Sequence, residues 1–270
     1  MKEMKLWKWS LLLFFGTIVF MVIYSFAQAP FILGIRPGYQ IAPLIVGAII
    51  LLYAYRFWMH FLEKRNPTET SFSRLWPDVR LGFGIGFFYF VAITLTMIVI
   101  GCYRIEGINI DIEQILQNFF LMIVVAIGEE IVFRGIIYRM IADRYNMYVA
   151  LVVSALLFGF IHITNPGATV WSSFAIAIEA GIMLGLAYSY RQSLWVPIGI
   201  HLSWNFSQGQ IFGYAVSGMD IPSPIIQPVI TGNEYITGGA FGAEASVVAV
   251  VISFVISYLL YKKISVSKAE

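Results

Sequence analysis

The chain holds few groups able to do chemistry, and most of them fall in three short motifs. The first is Glu129-Glu-Ile-Val-Phe-Arg134, which sets two adjacent carboxylates and an arginine inside an apolar stretch. The second is Phe158-Gly-Phe-Ile-His162, and the third is His201-Leu-Ser-Trp-Asn205. A carboxylate, two imidazoles and an amide suffice for hydrolysis. A glutamate in a low-dielectric cavity is a suitable general base for water. Histidine and asparagine donors can hold the oxyanion formed when that water attacks an amide carbonyl. Residues four apart share a helix face, whereas neighbours are rotated by about 100°. Glu130 and Arg134 therefore pair along one face, as an orienting element or a plain structural ion pair, and Glu129 is left on an adjacent face as the base. Phe158 lies one turn below His162, and His201 shares a face with Asn205. Zinc is the rival chemistry, with His162, His201 and Glu129 as ligands, since a catalytic zinc takes three protein ligands plus water. No His-Glu-x-x-His is present and asparagine is a poor zinc ligand, but spacing alone leaves both chemistries open.

These groups must be positioned by an all-α membrane bundle. Of 270 residues, 59% are hydrophobic and 12% charged, with a mean hydropathy of +0.81. Soluble domains average about 45–50% apolar and about 25% charged. The net charge of +2 offers no case for nucleic-acid binding. The single cysteine, Cys102, excludes an intrachain disulfide and reads as a small apolar residue at a helix end. Eight apolar segments approach the ~20 residues that a bilayer requires: Trp9–Ala29, Ile41–Leu62, Leu81–Cys102, Ile115–Ile137, Met147–Ile163, Val170–Tyr190, Leu194–Tyr214 and Ala245–Tyr261. Lys2, Lys5 and Lys8 ahead of the first, with Ala27-Gln-Ala29 at its end, imitate a signal peptide. Its length and the following Pro30 make it a retained first span instead. Ser193 is the expected cap of the seventh span, with Pro197 in its first turn.

With the N-terminus inside, fifteen of the seventeen Lys and Arg residues, Arg134 among them, fall on one side, leaving Arg36 and Arg104 outside. Both termini are then expected in the cytoplasm of a multi-pass, bacterial-type membrane protein, with residues 1–270 forming one membrane domain. Gly213–Glu244 is expected to be an outer, mostly irregular loop, and the Lys64–Arg80 loop to anchor at anionic headgroups. At about 1.5 Å per residue, Glu129 lies roughly 18 Å in from the cytoplasmic end, His201 roughly 10 Å and His162 roughly 22 Å. This depth predicts one mid-membrane cavity between the fourth, fifth and seventh helices. Glu179, alone in the sixth span, either lines that cavity or bonds a neighbouring helix. His60, among Arg56, Glu63, Lys64 and Arg65, reads as interfacial.

The three motifs, in this order, resemble those of the CPBP family of intramembrane proteases (CAAX-processing and bacteriocin-processing), which is related to the type II CAAX prenyl endopeptidases. Glu129-Glu-x-x-x-Arg134 resembles its first motif, Phe158-x-x-x-His162 its second, and His201-x-x-x-Asn205 its third. Ser193-Leu-Trp-Val-Pro197 fits as well. The resemblance covers about residues 75–263 and implies an endopeptidase for a membrane-embedded or lipidated peptide, prenylated or not. It implies Glu129 as the base, His162, His201 and Asn205 as the groups holding water and oxyanion, and a metal-free glutamate mechanism in preference to zinc. Two other classes compete: a catalytically silent scaffold or immunity protein, and a proton-coupled carrier relaying protons through buried Glu and His. The carrier is disfavoured because no paired broken helices or inverted repeat is visible.

Overall fold

In a computed structural model, residues 3–267 are described, and they form a bundle of long helices with one small sheet. All eight expected segments are helical: α1 (Leu6–Ala27), α2 (Pro37–Phe61), α3 (Leu75–Val99), α4 (Ile112–Glu130, continued by Ile131–Tyr138 and Arg139–Arg144), α5 (Met147–Ile161), α6 (Val170–Ile176, Ala177–Ile182 and Met183–Arg191), α7 (Trp195–Asn205 and Phe206–Ile211) and α8 (Val247–Ser267). By length and composition alone, six of them could cross a membrane: α1, α2, α3, α5, α6 and α8. The other two, α4 and α7, carry the first and third motifs. Polar residues and irregular turns break their apolar run, so the expected count of eight spans stands at six plus two buried motif helices. The exposed faces of α1, α2 and α8 carry large apolar side chains such as Phe14, Phe57 and Phe254, as lipid contact requires. The chain is a multi-pass membrane protein.

Local chemistry fixes the helix starts. Asn146 caps α5 by accepting from Tyr148 and Val149 N–H at 3.0 Å. Thr169 and Ser172 form a reciprocal capping box on α6, and Asp111 accepts from Gln114 N–H at the start of α4. At α7 the boundary residue is Leu194, one past the expected Ser193, whose Oγ accepts from the Trp195 N–H at 3.3 Å, and Pro197 lies in the first turn.

Three helices contain wider π-type turns that the apolar periodicity does not reveal: Ile131–Tyr138, Ala177–Ile182 and Phe206–Ile211. They directly follow Glu130, contain Glu179 and directly follow Asn205. Such turns are rare and concentrate at functional sites. The helices α3 and α7 meet through glycines. A Cβ on Gly82 would lie 2.1 Å from the Val196 carbonyl oxygen, and one on Gly199 would lie 2.5 Å from that of Val79.

The two ends of the bundle differ. At one end lie the start of α1, the end of α2, the Lys64–Arg80 connection and the end of α8. This connection is not a simple headgroup anchor. Glu69 is buried, accepts from Arg65 and from Tyr55 Oη at 2.5 Å, and its carbonyl accepts from Leu194 N–H. Asp78 pairs with Arg191 at 2.9 Å, and Glu63 with Arg139 at 2.7 Å. Arg134, counted above with the loop charges, is fully buried within the bundle instead. Lys2 and Lys268 lie outside the described residues. His60 is exposed beside Phe61, consistent with an interfacial position.

At the opposite end the expected irregular loop contains a strand, β2 (Ile226–Ile230), paired antiparallel with β1 (Tyr103–Ile108), with a register shift between Ile105 and Gly107. Cys102 precedes β1, three residues past the end of α3, and its carbonyl accepts from Thr231 N–H. Tyr103 Oη donates to the Phe212 carbonyl at 2.7 Å, tying the sheet to α7, and burial pushes its phenol pKa up.

Candidate active site

The first, second and third motifs meet at one cavity of about 380 Å³. Glu129, Phe158, His162, His201 and Asn205 all line it. Glu130 and Arg134 sit behind them, both fully buried. The predicted pairing on one helix face is present: Arg134 Nη1 donates to Glu130 Oε1 at 2.8 Å. Arg134 Nη2 also donates to the Ala180 and Gly181 carbonyls, at 3.1 and 3.2 Å, in the widened turn of α6. Its guanidinium lies over the Phe158 ring, 4.5 Å from the centroid. Phe158 in turn meets Phe133 edge-on and touches both His162 and His201. The aromatic ring thus separates the buried ion pair from the cavity and spaces the two imidazoles.

Hydrogen bonds fix both histidine tautomers. His201 Nδ1 lies 2.9 Å from Glu130 Oε1, a carboxylate that can only accept, so Nδ1 carries the proton. Its Nε2 then points at Glu129 Oε2, 3.9 Å away. His162 Nδ1 lies 2.7 Å from the Phe158 carbonyl, so it too donates through Nδ1 and leaves Nε2 for the cavity. His162 sits just past the end of α5 on a tighter turn and is half-buried, nearer the end of the bundle than the mid-membrane depth expected. Asn205 lies one turn beyond His201 on α7.

Glu129 is held from an unexpected direction. Tyr24 on α1 donates through its hydroxyl to Glu129 Oε1 at 2.9 Å, while Oε2 is buried with no hydrogen-bond partner. Gly128 makes this possible, since a Cβ there would lie 2.2 Å from the Tyr24 ring. The sequence signal for Tyr24 was slight: one phenol in an apolar helix, and a glycine directly before the glutamate pair. Glu179 does not line the cavity; it is fully buried and accepts from Tyr89 on α3 at 2.8 Å, the helix-bonding alternative.

The loop after α7 supplies the rim, with Ser217, Asp220 and Ile221, joined by Glu244. Glu244 accepts from Ser217 N–H at 2.5 Å and from Trp204 Nε1 at 3.3 Å, and burial pushes its carboxyl pKa up. Among the described residues, no group of three or more His, Cys, Asp or Glu side chains converges to hold a metal ion. The set named for zinc, His162, His201 and Glu129, is therefore not such a cluster here.

Residues 111–207 match the family model described as type II CAAX prenyl endopeptidase Rce1-like. The chain is also 28% identical over 171 residues to the protein named "Putative membrane peptidase YdiL" from Bacillus subtilis (strain 168). That alignment spans 61% of this chain and 66% of the relative, just under two thirds of its length. Residues 111–207, the stretch that carries every motif side chain, are thus similar to the Rce1-like family, and the longer alignment is to a Bacillus protein with a name of the same kind.

Proposed function

We propose that the protein is a membrane endopeptidase in which Glu129 activates water against a peptide bond of a membrane-associated or lipidated substrate. The observation that carries this reading is the division of labour between the adjacent glutamates. Glu130 is committed to Arg134 and His201, at 2.8 and 2.9 Å. Glu129, which lines the cavity, keeps one oxygen without a hydrogen-bond partner, 3.9 Å from His201 Nε2. The two atoms can share one water, which then attacks the carbonyl carbon as its proton passes to Glu129. The negative charge that develops on the carbonyl oxygen is met by the Asn205 amide and by His162, which both line the cavity. The proton on Glu129 then goes to the leaving nitrogen, the C–N bond breaks, and an acid and an amine are released. A positioned base contributes roughly 10²–10⁴-fold in rate. The family match and the name of the Bacillus relative support the same class of reaction.

The test is to compare peptide ends in membranes carrying wild-type protein or Glu129→Gln, which preserves shape and removes the base. Ends found only with the wild type support hydrolysis and name the substrate. Identical sets, with the cellular phenotype intact in the variant, would leave a binding or scaffold role.

A further inference from the structure

The charges and the cavity point to opposite ends of the bundle. Among the described residues, twelve Lys and Arg, running from Lys5 to Lys263, lie at the end that holds the Lys64–Arg80 connection. Only Arg36 and Arg104 lie at the other. Contacts define the basic end independently of any membrane: Arg74 Nη2 donates to the Arg191 carbonyl, Trp9 Nε1 to the Met140 carbonyl, and Tyr148 meets Tyr261. Positive loops stay on the cytoplasmic side, so the basic end faces the cytoplasm.

Among the described residues, none of the cavity's lining side chains comes from the loops at that end. Below Glu129 lie the buried Glu130–Arg134 pair, then Tyr55, whose hydroxyl is 3.2 Å from the Gly135 carbonyl, and then the Glu69–Arg65 and Glu63–Arg139 pairs. The rim residues all come from the opposite end: Gln28 just past α1, Asn165 after α5, and Ser217, Asp220 and Glu244 from the long loop. Asn165 donates to the Ser217 carbonyl at 2.9 Å, closing that rim. Among the described residues no Lys or Arg lines the cavity, and Asp220 sets an exposed carboxylate at its mouth.

We infer that substrate reaches Glu129 from the extracytoplasmic face, and that it is the outward juxtamembrane stretch of a membrane-anchored polypeptide with neutral or basic residues beside the cleaved bond. The direction of entry follows from the basic end and the rim alone; that the polypeptide is cleaved rests on the hydrolase reading above.

Two measurements separate these parts. In a Cys102→Ser background, Asp220→Cys and Lys64→Cys are treated with a membrane-impermeant maleimide in intact cells. Labelling of Asp220→Cys in intact cells, and of Lys64→Cys only after permeabilisation, is the expected result; the reverse pattern overturns the inference. Wild-type protein is then reconstituted, at known orientation, with single-span model peptides bearing Lys or Glu on the flank at the cavity end. The Lys peptide should be cut about fivefold faster, the effect of one exposed ion pair, and Asp220→Lys should reverse the preference. Cleavage only of flanks at the basic end overturns the inference and leaves the peptidase standing. The expected labelling with no cleavage of either peptide refutes the hydrolase reading and leaves the direction of entry intact.

Discussion

His201 donates through Nδ1 to Glu130 Oε1 at 2.9 Å, and that bond decides which of its nitrogens faces Glu129. The second glutamate of the pair contacts the histidine and the arginine and does not line the cavity. The adjacent carboxylates should therefore fail in different ways when neutralised.

Glu130→Gln strips the charge partner from a fully buried Arg134. Losing one member of a buried pair costs about 3–5 kcal/mol. The thermal midpoint in detergent should fall sharply for Glu130→Gln and stay near wild type for Glu129→Gln. Equal midpoints for the two variants would contradict the division of roles.

Tyr24→Phe removes the 2.9 Å hydrogen bond to Glu129 without opening a cavity. A hydrogen bond to a charged group is worth about 1.5–3 kcal/mol, so turnover should drop by roughly tenfold or more with folding preserved. Gly128→Ala should be worse, since its Cβ displaces the Tyr24 ring. Rates of both variants against a cleaved model peptide, with KM and kcat separated, test this.

Gly82→Ala forces α3 away from α7, because the new methyl would overlap the Val196 carbonyl. Overpacking of this kind costs about 1–3 kcal/mol. Denaturation in mixed micelles should show the loss. Gly84→Ala, with open space around its Cβ, should show none.

Glu69 gives a pH signature away from the site. Burial pushes its carboxyl up, but the hydrogen bond and charge of Arg65, with Tyr55, outweigh this and hold the pKa below the usual value. A lowered folded-state pKa adds stability above the unfolded value of about 4.3, and that stability is lost as pH falls through the folded value. Wild-type unfolding midpoints should drop on acidification below about pH 4. Glu69→Gln should be less stable at neutral pH and show a smaller drop.

A strong zinc chelator tests the mechanism from another side. Because no closed ligand cluster forms around His162, His201 and Glu129, peptide cleavage should survive exhaustive chelation. Loss of activity that zinc alone restores would replace the proposed water activation by metal chemistry.

Much of this was legible in the residues. Apolar runs located all eight helices, six of them apolar and long enough to cross a membrane, whereas α4 and α7 carry polar motif residues within theirs. Spacing of four also placed Glu130 beside Arg134 and His201 beside Asn205. What escaped depends on neighbours rather than on local pattern. The wide turns after Glu130 and Asn205 look like ordinary helix in sequence, because their apolar residues suit either geometry. The strand at Ile226–Ile230 contains Pro228, which argues against a strand, and it exists by pairing with a segment more than a hundred residues away. Arg134 counted as a loop charge until its partners on α6 were visible. Tyr24 carried no periodic signal in a helix apolar on every side.

Tyr24 also bears on how far the motif-bearing stretch can be moved as a unit. It belongs to α1, far outside residues 111–207, yet it supplies a hydrogen bond to the proposed base and part of the cavity wall. A chimera grafting only the motif helices into another membrane scaffold would import every residue of the three motifs and leave Glu129 without its phenol. The first helix is therefore part of the cavity, and on the proposed reading, shortening the chain from its N-terminal side should silence the site before it releases the protein from the bilayer.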